Sequence, residues 1–145
     1  MVVKIDSLAA DLKRERDGDW IEPKSWPGLN PENPNQMVDL PGVAFHVRSV
    51  NYSPYVTARQ TELERIKQDY PDSVVPPDVA SQIEGSLAAE HLLLGWRGFD
   101  TEYSAAAAAD TVKAPEHRNI RAIIYWCAGR VGKKKVEFVT AAAKN

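Results

Sequence analysis

A single cysteine, Cys127, stands in the 145 residues, so no intrachain disulfide can form. That usage fits a reducing compartment. No apolar run approaches the roughly 20 residues that a bilayer-spanning helix needs. The opening Met1-Val2-Val3-Lys4-Ile5-Asp6 lacks the apolar core of a secretory signal and meets an acid early. The expected location is therefore the cytosol of the cell that makes the chain. A basic excess is missing too. Formal net charge is -2, which argues against a dedicated DNA- or RNA-binding domain.

Reaction motifs are equally scarce. His46, His91 and His117 share no ligand spacing, and one cysteine gives poor support for zinc. No serine sits in a Gly-x-Ser-x-Gly elbow. Gly129-Arg130-Val131-Gly132-Lys133 has neither the spacing nor the hydroxyl of a phosphate loop. The sequence thus points to no catalytic residue, no metal and no cofactor. Internal repeats and heptads of coiled-coil length are absent as well.

What is present describes an ordinary folded chain. It is 43% hydrophobic and 26% charged, and its length suits one domain able to bury a core unaided. The expected organisation is a single domain, 1–145. An irregular and β-rich part covers 1–50 and a helical part covers 53–145. The fold class is α+β, mostly α-helical, with a small N-terminal hairpin or sheet followed by about five helices.

The pass along the chain begins with a short helix over Ser7–Arg16, with Leu8 and Leu12 on one side, stopped by Asp17-Gly18-Asp19. Trp20–Glu22 reads as a strand. Pro23–Pro41 holds five of the ten prolines, and lost backbone donors there predict a long surface loop with no inner strand. Val43–Val50 alternates, with Val43, Phe45, Val47 and Ser49 on one face, and suits a half-buried strand able to pair with the Trp20 segment.

Ser53-Pro54 opens a helix to about Tyr70, with Val56, Leu63, Ile66 and Tyr70 as its stripe. Pro76-Pro77-Asp78 opens another to about Trp96. There Gly95-Trp96-Arg97-Gly98 reads as a buried aromatic corner between helices. Ser104 caps a helix over Ala105–Lys113. Pro115 opens one in which Ile120, Ile123, Ile124, Cys127, Ala128 and Val131 recur at helical spacing, the cleanest amphipathic pattern in the chain. A last helix is expected over Lys134–Ala143, with Val136, Val139 and Ala143 on one side.

Two features bear on partners. Arg130, Lys133, Lys134 and Lys135 form the one concentrated cation run. Cations at the start of the last helix oppose its dipole, which hints at an acidic partner; a solvated junction is the plain alternative. Trp26 lies in the proline-rich segment and Trp126 falls off the apolar stripe of its helix. Each is either a partner anchor or packed within the chain. Cys127, on that stripe, reads as core.

Several motifs in one order resemble a known group. They are Lys4-Ile5-Asp6-Ser7-Leu8, the acidic turn before Trp20, Leu40–Ser49 (LPGVAFHVRS), Asn51-Tyr52-Ser53-Pro54-Tyr55, a charged helix, Leu93–Gly98 (LLGWRG), Tyr103-Ser104 and the closing Lys144-Asn145. The ordered set is similar to small proteins of tailed-bacteriophage tail gene clusters, the tail assembly chaperone-like family. The Pro23–Pro41 segment is longer than the family pattern, the connection after Gly98 is short, and the last helix begins basic. The resemblance implies a non-enzymatic protein that chaperones the tape measure protein or tail tube protein in the host cytoplasm. A structural virion component of the tail or head–tail junction is the alternative, and it would be present in purified particles. No membrane and no specific nucleic acid is implied as a partner, and a homo-oligomer remains compatible. A small enzyme or a host-defence antagonist is a third reading, and the enzyme would need titratable groups converging in a pocket.

If Trp96 is core, Trp96→Ala is expected to cost about 3–5 kcal/mol in denaturant unfolding. A loss under about 1 kcal/mol would place the ring at the surface.

Overall fold

The computed structural model describes residues 1–140. Among the described residues, five α-helices and three small antiparallel sheets make a mixed α and β architecture. The strands are β1 (Val2–Val3), β2 (Asp19–Ile21), β3 (Ser25–Pro27), β4 (Met37–Asp39), β5 (Ala44–Val47), β6 (Leu93–Arg97) and β7 (Phe138–Val139). The helices are α1 (Leu12–Asp17), α2 (Ser53–Asp69), α3 (Pro77–Leu87), α4 (Ala105–Lys113) and α5 (Arg118–Ala128).

The central sheet runs β2-β5-β6. The pairing of the Trp20 segment with the Phe45 strand is as expected, with Trp20 opposite His46 and Ile21 opposite Phe45. On the far side of β5, Trp96 lies opposite Phe45 and Gly95 opposite His46. Directly opposed residues share a sheet face. One face therefore carries the row Ile21–Phe45–Trp96, and the other the row Trp20–His46–Gly95. Phe45 and Val47 are fully buried. Ile123, Ile124, Cys127, Ala128 and Val131, the stripe read from the sequence, join the same core, and Ile120 packs against it half-buried.

Trp96 is 7% exposed, and its indole Nε1 donates to the Thr101 carbonyl at 2.8 Å. It is core, as expected, yet it sits in a strand rather than at a helix end. The helix expected to reach Trp96 stops at Leu87, passes through a π-turn over Ala88–Leu92, and continues as β6. A short continuous apolar run suits a buried strand as well as a buried helix, and here pairing to β5 decides it.

Other expectations are corrected. The N-terminal helix breaks into a 3₁₀ turn, Ile5–Leu8, and α1, because Asp11 caps a new start by accepting from the Arg14 N–H at 3.2 Å. Leu8 and Leu12 face solvent, and Glu15 is the buried residue of α1. The Pro23–Pro41 segment is not a bare loop. It holds the β3–β4 hairpin, with Trp26 opposite Val38. Both its strands are edges, where a proline such as Pro27 is tolerated. In α2 the buried residue is Tyr55, while Val56 and Leu63 are exposed and Ile66 and Tyr70 half-buried. Ser53 lies inside that helix and supplies no cap.

The helix expected over Lys134–Ala143 is also absent where the chain is described. Residues 133–137 form neither helix nor strand, and Phe138–Val139 pairs with Val2–Val3. Three lysines disfavour a helix start, and aromatic and β-branched residues favour a strand. Val136 and Val139 are exposed; Ala143 lies outside the described residues. The α4 helix matches its expected span, and the Ser104 hydroxyl accepts from the Ala107 N–H at 3.1 Å.

Two features lock α3, α4 and α5 together. A methyl group built on Gly85 of α3 would collide with the Val112 carbonyl of α4, so only glycine permits this approach. Arg121 of α5 is 6% exposed. Its guanidinium donates to the Val112 and Ala114 carbonyls at 3.1 and 2.8 Å and to the Ser81 hydroxyl at 3.1 Å.

Arg121→Ala strands two helix-end carbonyls and is expected to cost about 2–4 kcal/mol in chemical denaturation. Arg121→Lys keeps the charge without the fork and should recover part of that loss; full recovery would show that charge alone matters.

Candidate functional site

Three surface features gather side chains able to do something beyond packing. The first joins two of the residues that the sequence marks. Trp26 of the hairpin meets Trp126 of α5 edge to face, with ring centroids 6.2 Å apart and planes at 87°. The Arg130 guanidinium lies over the Trp126 ring at 3.9 Å. Trp26, Trp126 and Arg130 thus form one stack that pins the hairpin to α5. Intramolecular packing takes up Trp26, which is half-buried, while Trp126 keeps 36% of its surface exposed.

The second feature lies where residues 1–12 meet residues 129–139. The Asp11 N–H donates to the Gly132 carbonyl at 2.8 Å, and the Lys4 N–H to the Glu137 carbonyl at 2.8 Å. A groove of about 320 Å³ opens there, with Leu8, Val131 and Val136 among its walls and Lys133 and Lys134 beside them. Exposed apolar side chains stand on the same two segments. Ile5 is 82% exposed, Leu12 74%, Leu8 64% and Phe138 56%. Lys133, Lys134 and Lys135 are all exposed, and none forms an ion pair among the described residues. Beneath them the Glu15 carboxylate is buried and accepts from the Ser49 hydroxyl and the Asn51 side-chain amide, both at 3.4 Å.

The third feature is a cleft of about 450 Å³ between the hairpin, the end of β6 and the start of α5. Its walls include Leu40, Trp96, Phe99 and Ile120, and Asp100, Glu116 and His117 bring polar groups to it. Sequence reasoning read Trp96 and Ile120 as core and gave His117 no ligand role, but it did not bring them together with Leu40, Asp100 and Glu116, because tertiary contact alone brings the hairpin to α5. The exposed apolar set of residues 1–12 had a signal: Ile5, Leu8 and Leu12 had no apolar partner run to pack on.

The histidines sit in three different settings. His46 stacks on Trp20 at 5.2 Å, His91 lies 3.8 Å from Glu90, and His117 is at the cleft. Among the described residues no three of His, Cys, Asp and Glu gather as a metal-holding group. Burial pushes the Cys127 thiol up to about 12, which leaves it protonated and unreactive. Burial, then the neighbouring Tyr55, raises the Tyr125 hydroxyl well above its ordinary value; it donates to the Glu84 carbonyl at 2.7 Å. No helix among the described residues is long and apolar enough to cross a membrane. Comparison with protein families, with curated proteins and with solved structures finds no match.

The Cys127 thiol holds its proton more tightly in the folded chain than at the ordinary value of 9.0. Its contribution to stability is therefore complete below pH 9.0 and is lost as pH rises toward about 12. Iodoacetamide is expected to alkylate the native protein slowly at mildly alkaline pH and the urea-unfolded chain at the rate of a free thiol. Equal rates would remove Cys127 from the core.

Proposed function

We propose that this chain is a non-enzymatic tail assembly protein of a tailed bacteriophage, one that holds the tape measure protein or the tail tube protein through surface contact during assembly in the host cytoplasm. The ordered motifs from Lys4-Ile5-Asp6 to Tyr103-Ser104 support the class. The observation that carries the mode of action is the exposed apolar surface of Ile5, Leu8, Leu12 and Phe138 beside Lys133–Lys135. Exposed apolar area of this kind marks contact sites. The cations beside it select the partner and orient it. An amphipathic helix with acidic residues flanking its apolar face has the complementary chemistry. The tape measure protein is a long helical chain, and weak repeated contacts along it would let tail subunits displace the chaperone.

The test is co-expression with the tape measure and tail tube proteins of the same gene cluster, followed by affinity capture through this chain. One of the two is expected to co-purify and to gain solubility. K133E/K134E/K135E is expected to weaken that complex by roughly tenfold at low ionic strength while leaving thermal unfolding unchanged. Capture of neither protein would overturn the proposal, and unchanged affinity in the charge-reversed variant would remove the basic segment from the contact.

A further inference from the structure

The acidic cleft between the hairpin and α5 has no role in the contact proposed above. We infer that it is a docking site for the basic segment Lys133–Val136 of a second copy of this chain. The cleft offers an apolar interior of Trp96, Phe99 and Ile120, and two carboxylates, Asp100 and Glu116. No lysine or arginine lines it, and neither carboxylate is in an ion pair among the described residues. Its occupant must therefore carry cations next to apolar groups.

That pattern is present on the chain itself. Lys133, Lys134, Lys135 and Val136 follow one another in an exposed stretch outside helix and strand. The three ammonium groups lack ion-pair partners among the described residues. Held by neither helix nor strand pairing, the segment can place a lysine and the valine in one cleft while the remaining lysines stay at its rim. Lysine stems lie readily along apolar walls with the ammonium reaching outward, here toward Asp100 and Glu116. A cleft of about 450 Å³ has room for such side chains.

The groove that Lys133 and Lys134 line and the acidic cleft share no residue. One copy can therefore offer both its segment and its cleft at once. Such a contact closes as a two-fold dimer where the exchange is reciprocal and builds rings or open chains where it is not. Charge dominates its selectivity, so salt weakens it. Because the same lysines edge the surface proposed for the tail partner, self-association and partner binding compete. The inference does not depend on who that partner is.

The test uses the full chain alone. Sedimentation velocity at low ionic strength is expected to show mass growing with concentration and falling back in high salt. D100K/E116K and K133E/K134E/K135E are each expected to raise the dissociation constant by at least about tenfold. D100N/E116Q, which keeps the volume of both side chains, should raise it in the same direction. Mixing the two charge-reversed variants restores both contacts, one native and one swapped, so association should return in the mixture. Three results would each overturn the inference: a monomer up to about 1 mM, association that survives both reversals, or a mixture that stays dissociated. Capture of a basic protein or an organic amine by the cleft in place of a second copy would appear as the first of these.

Discussion

One buried charge organises the helical half of the molecule. Arg121 comes from α5, and its guanidinium reaches the last carbonyls of α4 and the Ser81 hydroxyl of α3. A buried guanidinium is costly unless its donors are met, and here three of them have acceptors supplied by the two neighbouring helices. Helix ends leave carbonyls without intrahelical partners, and Val112 and Ala114 are where α4 stops. One side chain therefore answers two needs, its own and that of the helix end. Gly85 lets the backbones of α3 and α4 come close enough for this, since any side chain there would strike Val112. The short connection through Glu116 and His117 is held at its root by the same bond to Ala114, which fixes where those two polar groups stand at the cleft.

The sheet does for the other side of the cleft what Arg121 does for the helices. Phe45 sits between Ile21 and Trp96 across three strands. The chain leaving β6 must then turn at once. Gly98, with φ of 90°, passes so near the Gly42 backbone that no Cβ fits, and the Trp96 indole holds the Thr101 carbonyl from below. Between these two constraints Phe99 and Asp100 are pushed outward, the ring against Phe45 and Trp96 and the carboxylate at the cleft. The Gly-Trp-Arg-Gly stretch is thus a turn-maker, and the cleft is a consequence of that turn.

Much of this was legible where local chemistry decides the outcome. The α5 stripe, the α4 cap at Ser104, the Pro54 helix start and the alternation that marks Val43–Val50 as a strand all rest on short-range signals that tertiary structure reinforces. The failures share a different cause. Leu93–Arg97 reads equally as helix end or strand, and only the place beside β5 chooses. Trp26 gives no hint that Trp126 will meet it, because a hundred residues separate them. Arg121 looks like one more surface cation on a charged helix face, since nothing local says that α4 will end against it. Likewise Val136 and Val139 fit a helical count until Val2–Val3 presents an edge to pair with.

The small net charge of -2 conceals how the charges are deployed. Arg16–Asp17, Arg65–Glu62 and Lys67–Glu64 pair within a turn of backbone, exposed except for the half-buried Glu62, and surface pairs of that kind add little to stability. Lys133–Lys135 and Asp100 with Glu116 are arranged otherwise. Each set lies against apolar surface, in a setting where an arriving partner would expel water and strengthen whatever charge contact it makes. An apolar surface alone would bind many partners weakly, and a charge alone would bind few at cellular salt. Placed together they reject an apolar segment of the wrong sign, because its charge would be left desolvated and unmatched. For the contacts proposed here, selectivity would follow from where the unpaired charges meet the uncovered side chains.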